Sequence, residues 1–158
     1  MKRSSGIRER LRQAGNRDAQ YNLGLCYERG TGVTVDQREA VKWFTRAAEG
    51  GDSAAQLNLG LCYNRGTGVT VDQHEAVQWF TRGGDSDAQY ALGVCYERGT
   101  GVTVDLREAF KWYTRAAENG NIDAQYNLGC CYRDGDGIAV DKRKAFTWFK
   151  RAADAGGQ

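Results

Sequence analysis

The side chains best placed for chemistry in this 158-residue chain are its five cysteines: Cys26, Cys62, Cys95 and Cys131 recur at intervals of 36, 33 and 36 residues, and Cys130 adds a fifth. Thiolates in such number can bind zinc, pair as disulfides or act as nucleophiles. Distance argues against the first two. Four thiolates on one zinc must lie within about 4 Å of one another. Equivalent positions on successive packed helices lie about 10 Å apart or more, beyond the roughly 7 Å Cα separation that a disulfide tolerates. The cysteines are therefore expected to be reduced and to act as small buried hydrophobes, with no metal and no cofactor. The reading that would use them chemically is a thiol-dependent enzyme or hydrolase with Cys130 or Cys131 as nucleophile.

Nothing else in the chain completes such a site. The single histidine, His74, stands between Asp72 and Glu75 where other copies of the same pattern carry Arg, and reads as a solvated surface residue. Gly30-Thr31-Gly32 superficially resembles a phosphate-binding loop, but it lacks the third glycine and the lysine and follows a helix pattern instead of a strand. No nucleophile with a partnered base can be assembled, so no catalytic residue is assigned and no enzymatic activity is expected.

Composition narrows the class further. The chain holds 21 Gly, no Pro, four Trp, eight Tyr and five Phe, with a formal net charge of +2. A near-neutral balance argues against a nucleic-acid partner. No run of about 18 apolar residues is present, which argues against membrane insertion. The N-terminal stretch lacks the apolar centre of a secretory signal, and with reduced cysteines this implies a cytoplasmic location.

The elements that would hold these residues come in repeats. The pattern Ala-Gln-x-x-Leu-Gly-x-Cys-Tyr-x-x-Gly-x-Gly-Val-x-Val-Asp begins at Ala19, Ala55, Ala88 and Ala124, with small variations. Each copy continues to an Ala and a Trp-aromatic pair: Ala40 with Trp43 and Phe44, Ala76 with Trp79 and Phe80, Ala109 with Trp112 and Tyr113, Ala145 with Trp148 and Phe149. Within a copy, Ala19, Leu23, Cys26 and Tyr27 fall on one helical face. A two-glycine connector follows, and Asp36 then opens a second helix with Glu39 at capping-box spacing. That helix is expected to bury Ala40, Trp43, Phe44 and Ala47. In the fourth copy Lys144 replaces the Glu and should weaken the helix start. The glycine at Gly24, Gly60, Gly93 and Gly129 lies mid-helix, where it costs about 1 kcal/mol against Ala, so close approach of a neighbouring helix is its expected reason.

Read together, Leu-Gly-x-x-Tyr-x-x-Gly-x-Gly-Val-x-x-Asp-x-x-x-Ala-x-x-Trp-Phe-x-x-Ala-Ala resembles the Sel-1-like repeat family, relatives of the tetratricopeptide repeat. The resemblance covers nearly all of residues 18–153. It implies an all-α fold, a right-handed α-solenoid of antiparallel helix pairs with four repeats at 18–53, 54–86, 87–122 and 123–153. Residues 1–17 are then a basic N-terminal segment with a partial capping helix, and 154–158 a tail. The implied function is a non-catalytic protein-protein interaction scaffold or adaptor that holds a peptide or helix of a protein partner. Some bacterial members bridge the two helices of a repeat by disulfide, but here the second helices carry no Cys.

The first helix has a second apolar stripe, since Tyr21 and Leu25 lie roughly opposite the Ala19/Leu23/Tyr27 face. By similarity to tetratricopeptide domains that stripe lines a concave groove. The groove column would be Tyr21, Asn22 and Leu25, then Leu57, Asn58 and Leu61, then Tyr90 and Val94, then Tyr126, Asn127 and Cys130. Glu28, Arg29, Arg65, Glu97, Arg98 and Arg133 would form its rim. An apolar floor with mixed charges at its edge suits an extended peptide or a partner helix. Carboxylate capture is disfavoured, because the lysine positions of that mode hold Tyr21 and Leu57.

Two irregularities remain. Residues 1–14 and 142–158 each carry +4 and residues 15–141 carry −6. Head-to-tail stacking would thus bring like charges together, while Trp148 and Phe149 suggest self-association through the terminal repeat. Copy two reads Thr81-Arg82-Gly83-Gly84-Asp85 and lacks an Ala-Ala-Glu present after Arg46. Removing three residues shortens a helix by about 4.5 Å, so a change of curvature or a hinge is expected between copies two and three.

Overall fold

The computed structural model describes residues 2–156, with side chains from Gly6 onward. Among the described residues the chain is all-α, with eight helices and no strand. It divides into two compact units, Met1–Gly83 and Gly84–Gln158, at the place where copy two is short. The first unit contains α1 (Lys2–Arg29), α2 (Gln37–Glu49), α3 (Ser53–Arg65) and α4 (Gln73–Gly83). The second contains α5 (Ser86–Arg98), α6 (Leu106–Glu118), α7 (Ile122–Asp134) and α8 (Lys142–Gly156).

From α2 onward each helix start is set by a side chain that satisfies a free amide of the first turn. The carboxylates of Asp36, Asp72 and Asp105 accept from the amides of Glu39, Glu75 and Glu108, and those of Asp52 and Asp85 from Ala55 and Ala88. Asn121 does the same for Ala124. In every copy the N-cap Asp also donates its own amide back to the carbonyl of the Tyr that closes the first helix, at 2.8–2.9 Å for Asp36, Asp72, Asp105 and Asp141. The connector is therefore a closed loop, tied at both ends to backbone.

The fourth copy makes its cap despite Lys144, whose amide donates to Asp141 at 3.0 Å. The glutamates that Lys144 replaces turn away from the cap: Glu39 pairs with Lys42 at 3.4 Å and Glu108 with Lys111 at 3.0 Å. Lys144 instead lies over the Tyr132 ring, 5.5 Å from its centroid.

The mid-helix glycines have a specific neighbour. A Cβ on Gly24 or Gly129 would stand 2.6 Å from the ring of Phe44 or Phe149, and one on Gly60 or Gly93 would stand 2.5 Å from the ring of Phe80 or Tyr113. Phe44, Phe80 and Tyr113 are at most 2% exposed. In α2 the residues Ala40, Val41, Phe44, Ala47 and Ala48 are buried, whereas Trp43 is half-buried, contrary to the sequence expectation. The indole lies under the guanidinium of Arg46, 4.6 Å from its centroid, and the same stack recurs for Trp79/Arg82, Trp112/Arg115 and Trp148/Arg151. Such a stack shields a ring that is only partly covered by other side chains.

The N-terminal segment differs from its expected form. Residues 2–17 continue α1 without a break, so no separate capping helix folds back. Residues 6–13 are exposed, with Ile7 at 56% and Leu11 at 68%. The described part of the expected tail is also helical, because α8 runs to Gly156.

Candidate functional site

In the second unit, α5 and α7 enclose a cavity of about 350 Å³ lined by Tyr90, Val94, Glu97, Arg98, Asn127, Cys130, Cys131, Arg133, Asp134 and Asp136. It gathers Tyr90, Val94, Asn127 and Cys130 of the sequence-predicted floor with Glu97, Arg98 and Arg133 of the predicted rim. The spacing explains why. Tyr90 and Val94 are four residues apart on α5, and Asn127 and Cys130 three apart on α7, so each pair occupies one helical face.

Part of this floor is committed to internal structure. Tyr90 and Tyr113 have ring centroids 6.0 Å apart, the Tyr113 hydroxyl donates to Glu97 at 3.1 Å, and Asn127 lines the same cavity as Tyr90. Burial pushes both phenol pKa values up, and the neighbouring carboxylates act in the same direction. In the first unit Asn58, at the position equivalent to Asn127, donates to the Tyr21 hydroxyl at 3.3 Å. Val94 and Cys130 remain half-buried against the cavity. At the edge, Arg133 holds Asp134 through two bonds of 2.8 and 2.9 Å, which keeps the Asp134 carboxyl below its usual range.

Tyr126 lies outside this cavity, 55% exposed, with its ring 5.7 Å from that of Phe149. In the first unit Tyr21 and Leu25 pack on the core, Leu57 and Leu61 are half-buried, and the exposed Asn22 donates back to the Asp18 carbonyl at 2.8 Å. Glu28 and Arg29 form a loose surface pair at 3.9 Å, and Arg65 is exposed. The Trp-over-Arg stacks escaped the sequence reading, although Trp-x-x-Arg recurs in all four copies.

All five cysteines are free thiols, and among the described residues no cluster of His, Cys, Asp and Glu has metal-binding geometry. Burial pushes the thiols of Cys62 and Cys95 up to about 11, and burial with nearby carboxylates pushes Cys131 up to about 12. An activated nucleophile needs the opposite shift. Cys26 and Cys130 are half-buried. At pH 8 a disulfide reagent should therefore titrate Cys26 and Cys130 in the folded chain and reach Cys62, Cys95 and Cys131 only on unfolding. Raised thiol pKa values also disfavour the native state once unfolded thiols ionise, so stability should fall as pH rises from about 9 towards 11. Replacing the three buried cysteines with Ala should flatten that slope in denaturant titrations.

The Sel1 repeat model matches residues 17–52, 53–85, 86–121 and 122–157. Among solved structures, the Sel1 repeat protein from Oxalobacter formigenes is 38% identical over 90% of this chain and 60% of its own, with a TM-score of 0.86. The protective antigen c5321 of uropathogenic Escherichia coli, described as displaying an SLR fold, is 40% identical over 94% of this chain and 32% of its own, with a TM-score of 0.87. Cysteine rich protein B of Helicobacter pylori shares the fold at 23% identity and a TM-score of 0.62, over 77% of this chain and 90% of its own. The chain thus spans 60% and 32% of the first two relatives' length. No curated protein matches it.

Proposed function

The chain belongs to the Sel1 repeat family, and from that premise we propose that it is a protein-interaction module that seats a peptide or helix of a partner protein on its first-helix faces. Sel1 repeat proteins generally act as scaffolds that bind protein partners, and the family is typically non-catalytic. The observation that carries the reading for this chain is the α5–α7 cavity, whose half-buried floor of Val94 and Cys130 is edged by Glu97, Arg98, Arg133 and Asp136. A volume of about 350 Å³ suits one or two side chains, so the partner contributes an apolar anchor flanked by charged residues. Tyr126 extends this surface, and in the first unit Tyr21, Asn22, Leu25, Leu57, Asn58 and Leu61 form the equivalent column, with Glu28, Arg29 and Arg65 beside it. Among the described residues no helix is long and apolar enough to cross a membrane, and five free thiols suit a reducing compartment such as the cytoplasm.

Selection from a displayed peptide library, followed by binding titration of the best sequences, tests this directly. Val94→Lys puts a charge on the cavity floor at a half-buried position and should weaken those peptides at least tenfold, about 1.4 kcal/mol, while circular dichroism stays unchanged. A folded Val94→Lys chain that binds the same peptides equally well removes the cavity from the site.

A further inference from the structure

The chain makes one kind of joint internally and leaves both halves of another open. Between α6 and α7 three contacts define it. Gly137 leaves space for the Leu106 carbonyl oxygen, which a Cβ would strike. Phe110 meets Tyr132 edge-on, with centroids 5.4 Å apart and planes at 89°. Gln125 Nε2 donates to the Ala117 carbonyl at 3.2 Å. The α2–α3 joint repeats two of these, with Gly68 against the Gln37 carbonyl and Gln56 Nε2 donating to Ala48 at 3.1 Å.

In the repeat columns, α8 carries one half of each contact, in the Lys142 carbonyl, Phe146 and the Ala153 carbonyl. The first helix and its connector carry the other half, in Gly32, Tyr27 and Gln20. Both halves are unmet among the described residues. Phe146 is 68% exposed, no atom lies within 4 Å of where a Gly32 Cβ would stand, and Ala19 is exposed whereas its counterparts Ala55 and Ala124 are fully buried.

We propose that a second copy of this chain seats its α1 on α8, continuing the established repeat-to-repeat interface from one molecule into the next. Gln20 then donates to the Ala153 carbonyl of the neighbour, Tyr27 meets Phe146, and Gly32 gives clearance to the Lys142 carbonyl. Charge acts both ways on this register: the basic ends of the two copies repel, whereas the contact stretch itself is complementary, so continuity of the repeat interface carries the proposal. The docking stretch 18–29 carries Asp18, Glu28 and Arg29, a net −1, against the +4 of residues 142–158. The basic first fourteen residues precede the contact face on α1. Because the joint uses different surfaces on its two sides, association either closes into a ring or grows chain by chain.

Sedimentation velocity over a dilution series into the sub-millimolar range tests the joint. The wild-type average mass should rise with concentration. Phe146→Glu spoils the α8 half and Ala19→Arg the α1 half, each at an exposed position, and each alone should associate at least tenfold more weakly with an unchanged circular dichroism spectrum. Mixed together they retain one good half each and should form a 1:1 dimer that grows no further. Val94→Lys should associate like wild type, which separates this joint from the peptide cavity. A wild-type chain that stays monomeric throughout, a Phe146→Glu chain that associates as wild type does, or a mixture that yields no dimer would each overturn the proposal.

Discussion

Phe44→Ala should lower the unfolding free energy of the first unit by about 3–5 kcal/mol, the range for emptying a fully buried aromatic site. Phe44 is 0% exposed, and its ring fills the space between Gly24, the Tyr21 ring at 5.8 Å and the buried alanines of α2. Half-buried Trp43, stacked against Arg46, should cost less when replaced by Ala. The glycine offers an independent handle on the same contact. Gly24→Ala gains about 1 kcal/mol of helix propensity but drives a methyl group into a rigid ring, at a cost of about 1–3 kcal/mol. Combined with Phe44→Ala, that methyl enters the vacated space, so the double variant should be more stable than the two single losses predict. Denaturant titration of the four chains gives the coupling directly, and strictly additive losses would mean that Gly24 and Phe44 do not share one packing site.

Gly137→Ala and Gly32→Ala change the same letter of the same motif and should differ by about 2 kcal/mol. Both residues have positive φ, +74° and +76°, so each substitution carries a left-handed backbone cost of about 1–2 kcal/mol. At Gly32 nothing stands in the way of the methyl group, and the loss should end there. At Gly137 the methyl group would strike the Leu106 carbonyl, a backbone atom at the start of α6 that cannot rotate aside. Either α6 and α7 part or the connector reshapes, and overpacking of about 1–3 kcal/mol is added to the backbone cost. Denaturant midpoints measured on dilute protein, where copies do not associate, compare the two. Equal losses would show that backbone conformation alone selects glycine here.

What the sequence shows well is what recurs. Asp36, Asp72 and Asp105 announce the second helices because a capping carboxylate acts on amides two or three residues away. The mid-helix glycines signal close packing because four propensity costs in register require a common neighbour. Which neighbour, the aromatic after each Trp, follows from the three-dimensional pairing and is not contained in spacing alone. The helical start of α1 is harder to read, since Asn16 occupies the column of the N-caps Asp52, Asp85 and Asn121 and only the absence of a preceding turn separates it from them. The predicted floor divided for a similar reason. Tyr90 and Asn127 lie 37 residues apart, and they line one cavity only once α5 and α7 are folded.

The joints between helix pairs rest on a carbonyl that accepts from a glutamine and on a glycine that makes room for another carbonyl. Carbonyl oxygens are common to every residue, so the receiving helix can vary its side chains freely, as Gln37 and Leu106 do at the same position. A gene built on such joints can gain or lose whole units by tandem duplication or in-frame deletion without inventing a matching partner surface each time. Length thereby becomes a heritable variable that is largely independent of what each unit carries on its outer faces.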